Sequence, residues 1–150
     1  MKQRKRSKYG VDITKSGVEK RTYKGFVYDS LTEMKFYRDY VEPKIQSGEI
    51  ISCEKQVKYE LQPSFKHEGK TILAVNYVAD FVLSFSNGKE IIYDVKGSPD
   101  NIALLKRKLF WFKYPELDYR WICLSTIDGG WVSYETVKQG RKERKKNKLK

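Results

Sequence analysis

Two aspartates and a lysine are the residues whose types and spacing most clearly point to chemistry. Ala79-Asp80-Phe81 is followed, beyond the turn signal Asn87-Gly88, by Tyr93-Asp94-Val95-Lys96-Gly97. Side chains two apart on a strand share a face, so Asp94 and Lys96 point the same way, and a paired strand can present Asp80 beside Asp94. Two carboxylates on adjacent strands make an oxygen-rich site for a hard cation such as Mg²⁺, which binds through a few carboxylates and keeps several waters. An ammonium beside that ion would orient or help deprotonate an attacking water, or stabilise charge on a pentacoordinate phosphate. Phosphodiester hydrolysis is one reaction that such a set of groups would serve. An Asp-x-Lys triplet alone is common and usually an exposed strand end. Asp80 adds weight because Val78, Phe81, Val82 and Leu83 surround it, where an idle carboxylate would be costly.

Two further residues are candidates. Glu33 adds a third carboxylate from the first helix, on the flank of its apolar stripe near Tyr37. A role as N3 of a capping box explains the same residue without any chemistry. Gln56, on the strand entering the sheet, could hold a metal-bound water or a substrate's phosphate backbone through its amide; an ordinary polar strand position explains it equally well.

The elements that must carry these residues follow from pattern. An extended stretch over 22–29 leads to a helix capped by Ser30, with Leu31, Met34, Tyr37, Val41 and Ile45 as its apolar stripe and Pro43 bending its last turn. Strands are expected over 50–61 and 71–86, with a turn at 63–69 between them. Asn87-Gly88 suits a type I′ hairpin turn, returning as a strand over 90–96. Ser98-Pro99-Asp100 opens a helix with proline at its first position, running through Leu104, Leu105, Leu109 and Phe112 to Pro115. A strand over 119–125 should lie parallel to the hairpin's second strand. Gly129-Gly130 turns into 131–134, and a basic helix begins at Glu135. The expected class is α/β, a central mixed β-sheet flanked by helices.

Composition narrows the function. With 150 residues the chain makes one domain of ordinary size. It has no apolar run long enough for a membrane helix and no apolar stretch in its first twenty residues for a secretory signal, so it is read as cytoplasmic. Cys53 and Cys123 have neither metal-site spacing nor a disulfide framework and are read as buried thiols. His67 alone cannot supply a histidine metal cluster or a Ser-His-Asp triad. The formal charge of +12 is concentrated at the ends. Residues 1–24 hold nine Lys/Arg against Asp12 and Glu19, residues 138–150 hold eight against Glu143, and the middle is slightly acidic. Basic ends on a near-neutral body are the pattern of arms that bind a polyanion. The expected organisation is a basic arm (1–24), a catalytic domain (25–137) and a basic tail (138–150). Arg4, Lys5 and Arg6 in the arm, and Arg141, Lys142, Arg144, Lys145 and Lys146 in the tail, are the DNA-binding candidates. Lys106, Arg107, Lys108 and Lys113 add a basic helix stretch for phosphate contacts. A solvated helix face explains that stretch almost as well. Trp111, Trp121 and Trp131 fit a core or interface better than a stacking platform for single strands.

These residues together resemble the PD-(D/E)xK nuclease superfamily, whose fold is the restriction-endonuclease-like one. Over 25–117 the chain is similar to a small phage and prophage family compared with RecU-type Holliday junction resolvases. The matching pieces are Phe26-x-x-Asp-Ser30-x-x-Glu33, Gly48-Glu49-Ile50, Gln56, Tyr77-x-Ala-Asp80-Phe81, Asp94-Val-Lys96-Gly97, and Leu105-Lys-x-Lys-Leu109-Phe110 before Tyr114-Pro115. The resemblance implies that Glu33, Asp80 and Asp94 bind Mg²⁺, with Mn²⁺ able to substitute, and that Lys96 is the catalytic lysine. It implies a metal-dependent endonuclease acting on branched DNA, with four-way junctions as the expected substrate and a homodimer as the acting form, in the host cytoplasm if phage-encoded. No small-molecule substrate or membrane partner is expected. Ala79 replaces the proline of the superfamily's name, and the 62–70 turn is too short for the stalk that RecU enzymes insert into a junction. A flap, fork or duplex-end nuclease, a ribonuclease, and a non-catalytic DNA-binding protein on the same fold are the alternatives.

Overall fold

The computed structural model describes residues 10–149, which form two compact units divided between Ser47 and Gly48. In the first unit, Thr14 caps a short helix α1 (Lys15–Lys20) by accepting from Gly17 N–H. Gly17 is required there, because a Cβ would lie 2.4 Å from the Asp12 carbonyl oxygen. Strands β1 (Thr22–Tyr23) and β2 (Phe26–Val27) pair around Lys24-Gly25, both at positive φ, as a two-residue hairpin turn demands. Ser30 then caps α2 (Leu31–Phe36), accepting from Glu33 N–H at 3.1 Å. The bend expected at Pro43 takes a specific form: a π-helical turn (Tyr37–Val41) precedes α3 (Glu42–Gln46), whose second residue is Pro43. Widening the helix one turn ahead accommodates a residue that has no N–H and crowds the carbonyl four positions back. Met34, Phe36 and Val41 are buried, whereas the expected stripe residues Leu31 and Ile45 are exposed.

The second unit is built on a five-stranded mixed sheet in the order β3-β6-β7-β8-β9. β3 (Ile50–Gln62) and β6 (Val75–Phe85) form a long antiparallel pair. The expected 63–69 turn is instead a further small hairpin, β4 (Phe65–His67) with β5 (Lys70–Ile72), closed by Glu68-Gly69 at positive φ. β6 turns into β7 (Glu90–Val95). The turn differs from the expected type I′, since only Gly88 has positive φ. Phe85 accepts from Gly88 N–H and donates to Lys89 carbonyl, and Asn87 Oδ1 takes Lys89 N–H. That is a three-residue loop with glycine in the left-handed position. Helix α4 (Asn101–Lys113) follows, then β8 (Tyr119–Ser125), parallel to β7 as expected, a 3₁₀ turn (Thr126–Asp128), β9 (Gly130–Ser133) and α5 (Tyr134–Lys148).

α4 departs from expectation at two points. Its cap is Asp100, accepting from Ala103 N–H at 2.8 Å, so Pro99 precedes the helix and is not its first residue. Its core face is not the Leu105/Leu109/Phe112 stripe, which is exposed; Ala103, Leu104 and Phe110 face the sheet instead. Phe110, fully buried, meets the rings of Tyr119 (4.5 Å), Tyr59, Tyr114 and Tyr77. Truncating such a residue costs about 3–5 kcal/mol, a large share of a domain's stability. Among the described residues no helix is long and apolar enough to cross a membrane.

Candidate active site

β7 is the middle strand of the sheet, and its last residues carry Asp94 and, just past its end, Lys96. The antiparallel register with β6 runs Val82–Ile92, Phe81–Tyr93. One step further, Asp80 comes level with Asp94. There the ladder gives way: Asp80 Oδ2 accepts the Val95 N–H at 2.8 Å, a side chain standing where a main-chain acceptor would otherwise be needed. Asp80 is thereby pinned to the strand that carries Asp94 and Lys96. Both aspartates are buried, with Asp94 only 2% exposed.

Lys96 Nζ lies 2.7 Å from Asp94 Oδ2, with the lysine side chain 25% exposed. The two same-face neighbours thus form an ion pair with one member inside and one reaching the surface. Asp94 Oδ2 is buried and accepts no aligned hydrogen bond, so the ammonium is its counter-charge. A buried carboxylate whose oxygen keeps an uncommitted lone pair is a suitable ligand for a hard cation, and Asp80 supplies a second from the adjacent strand. Among the described residues no three His, Cys, Asp or Glu side chains group as a metal centre. The pair Asp80–Asp94 with Lys96 is what the second unit assembles.

The wall beside this pair was not legible as part of a site. Trp121 stands level with Asp94 in the parallel β7–β8 register. Lys96 Nζ lies 5.5 Å from its ring centroid, and the Arg107 guanidinium stacks on the same ring at 4.0 Å and on Trp111 at 4.7 Å. Trp121 Nε1 donates to Tyr119 Oη at 2.6 Å. Burial, reinforced by the negative charge of Asp94, pushes the Tyr77 and Tyr119 hydroxyls well above the ordinary phenol range. Both hydroxyls therefore stay neutral at physiological pH. The one signal that could have found Trp121 is the expected parallel pairing of 119–125 with 90–96, which sets it beside Asp94.

Gln56 occupies the level of Asp80 on the other neighbouring strand, between the pairs Lys55–Phe81 and Val57–Ala79. Its φ is +54°, a left-handed backbone in the middle of a strand. Non-glycine residues held there cost on the order of 1 kcal/mol or more and cluster at functional sites. From Ala79 to Leu83 every residue of β6 is buried, so both faces of the strand are covered at the level of Asp80.

Glu33 belongs to the first unit, where it is buried and its Oε1 lies 3.3 Å from Ser30 Oγ in the capping arrangement. The basic candidates divide. Lys106 is committed to the Asn76 carbonyl at 2.8 Å, Arg107 to Glu135 at 2.8 Å, and Lys113 lies 3.5 Å from Glu60. Lys108 is exposed. On α5, Arg144 is tied to Asp128, whereas Arg141, Lys142, Lys145 and Lys146 are exposed. Arg4, Lys5 and Arg6 lie outside the described residues. The expected buried thiols are free cysteines; Cys123 is buried and Cys53 half-buried, its thiol pushed up to about 11 by burial.

Residues 13–127 match a family described as a protein of unknown function (DUF1064). No curated protein matches the chain.

Proposed function

This chain belongs to the DUF1064 family, and we propose that it is a Mg²⁺-dependent, structure-specific DNA endonuclease with a restriction-endonuclease-like fold of the PD-(D/E)xK kind. The observation that carries the reading is the Asp80–Asp94–Lys96 arrangement: two buried carboxylates on adjacent strands, one anchored by Val95 N–H and the other paired to a partly exposed ammonium at 2.7 Å. Natural chains rarely bury two like charges side by side for stability, since desolvation and mutual repulsion both oppose it. A divalent cation would make that arrangement favourable.

In this reading Asp80 and Asp94 hold Mg²⁺, with Mn²⁺ as a substitute, and Glu33 is the further carboxylate that the resemblance assigns. The ion would polarise a phosphate oxygen and neutralise charge there. Lys96 would orient the attacking water and stabilise the negative charge that builds on the phosphate oxygens. The Trp121 ring flanks the Lys96 ammonium at 5.5 Å. Gln56 supports the substrate or a water from the neighbouring strand. The exposed cations of α5 and Lys108 grip phosphates without reading sequence.

Four-way junctions are the proposed substrate and a homodimer the acting form, because two symmetric cuts need two sites. A Mg²⁺ titration with a synthetic four-way junction, a fork and a linear duplex tests this. Paired symmetric nicks in the junction, abolished in Asp94→Ala, are expected. Equal cutting of all three would reassign the substrate, and cleavage that survives an Asp94→Ala, Lys96→Ala double substitution would remove the enzyme assignment.

A further inference from the structure

The outer face of α4 carries four large apolar residues in one line: Ile102, Leu105, Leu109 and Phe112. They are 63%, 57%, 37% and 87% exposed. A scattered surface leucine needs no explanation, but a continuous stripe on a helix whose opposite face already fills the core does. The spacing is three, four, three, which is an a/d seam of a coiled coil. It also reads the same from either end.

We infer that this stripe is the interface at which a second copy of the chain docks, with the two α4 helices packed antiparallel across a two-fold axis. In that arrangement Ile102 meets Phe112 of the partner subunit and Leu105 meets the partner's Leu109, so every knob finds a match and the surface is self-complementary, as an isologous contact requires. Each stripe exposes roughly 450 Å², so at most about 900 Å² leaves water on pairing, the size of a weak, reversible interface below ~1,200 Å².

The interface rests on the stripe and not on the nuclease reading, although that reading gives two-fold pairing its use. Sedimentation of the full chain without DNA or Mg²⁺ tests it. The wild type should sediment at twice the 17.7 kDa chain mass at micromolar concentration, and Phe112→Asp, at a position 87% exposed, at the single mass with an unchanged far-UV spectrum. A monomeric wild type, or a Phe112→Asp that keeps the doubled mass, overturns the interface. The register has its own test. Under mild oxidation an Ile102→Cys, Phe112→Cys chain should cross-link to a covalent dimer above the background of the native thiols, and Phe112→Cys alone should not. Efficient cross-linking of the single variant would overturn the antiparallel arrangement. Asp94→Ala should remain dimeric while losing cleavage, so failure of the interface and failure of the enzyme assignment are read separately.

Discussion

The ammonium of Lys96 lies 2.7 Å from the buried Oδ2 of Asp94, two residues away on the same face of the sheet's central strand. Opposite exposures give the pair its character, since the aspartate is sealed and the lysine reaches outward. Removing the lysine leaves an uncompensated buried charge, which costs about 3–5 kcal/mol. Lys96→Ala should therefore melt earlier as well as fail to cut. Lys96→Arg separates the two effects: its guanidinium still balances Asp94, but it cannot give or take a proton near neutral pH. We expect stability within about 1 kcal/mol of wild type and single-turnover cleavage reduced by roughly 10²-fold or more. Cleavage by Lys96→Arg at the wild-type rate would remove Lys96 from proton transfer.

Asp80→Asn keeps an acceptor for Val95 N–H while deleting one of two neighbouring negative charges. In chelator the variant should be as stable as wild type or more so. Mg²⁺ at ~100 times its Kd should add about 2–3 kcal/mol to wild type and little to the variant. Thermal melts with and without Mg²⁺ read this directly, and an equal Mg²⁺ shift in both proteins would exclude Asp80 as a ligand.

Gln56 combines a left-handed backbone with a polar side chain at the level of Asp80. Glycine tolerates that φ and β-branched residues do not. Gln56→Val should lose at least about 1 kcal/mol, whereas Gln56→Gly should be neutral or slightly stabilising. If the amide contacts substrate, both Gln56→Gly and Gln56→Ala cut slowly. Denaturant midpoints set beside cleavage rates distinguish strain kept for function from strain that serves only the turn of the sheet.

The elements around the site were legible because their signals are local. Ser30, Asn87-Gly88 and the apolar runs of β6 and β7 each announce an element within a few residues, and alternation placed Asp94 and Lys96 on one face. What escaped the sequence depended on partners distant in the chain. The leucine-rich stripe of α4 looked like its core face, yet the helix turns Ala103, Leu104 and Phe110 inward because the tyrosine cluster of Tyr59, Tyr77 and Tyr119 takes the Phe110 ring. Trp121 joined the site only through parallel register with Asp94. Basic residues looked alike along α4 and α5, but Lys106 is committed to the Asn76 carbonyl and Arg107 to the surface carboxylate of Glu135. No local pattern encodes a left-handed glutamine in a strand.

The exposed cations of α5 should account for part of the salt dependence of DNA binding. Replacing Arg141, Lys142, Lys145 and Lys146 with Gln removes up to four phosphate contacts, and each contributes about 0.9 to the slope of log K against log salt. Junction affinity between low and moderate salt should show a slope smaller by roughly 3–4. Arg107→Gln should act differently, lowering stability by unstacking the guanidinium from Trp121 and Trp111. An unchanged slope in the fourfold variant would place the DNA elsewhere.

The middle of that basic helix is held by Asp128. Its carboxylate takes Arg144 at 2.7 Å and the Ser125 hydroxyl at 2.6 Å, and the close approach of Gly140 leaves no room for a Cβ, which would stand 2.3 Å from Asp128 Oδ1. The Arg144 guanidinium, then the Ser125 hydroxyl, hold the Asp128 carboxyl below its ordinary range. A carboxyl depressed in the folded state binds its proton more readily in the unfolded one. The stability it contributes is therefore complete above the unfolded value near ~3.9 and disappears as pH falls through the folded one. The melting-temperature difference between wild type and Asp128→Asn should be constant from neutral pH down to about 5, shrink below ~4 and vanish in stronger acid. Gly140→Ala should mimic Asp128→Asn at neutral pH, because displacing the carboxylate breaks the same pair. A difference that persists unchanged into strong acid would mean that the Asp128 charge contributes nothing to holding α5.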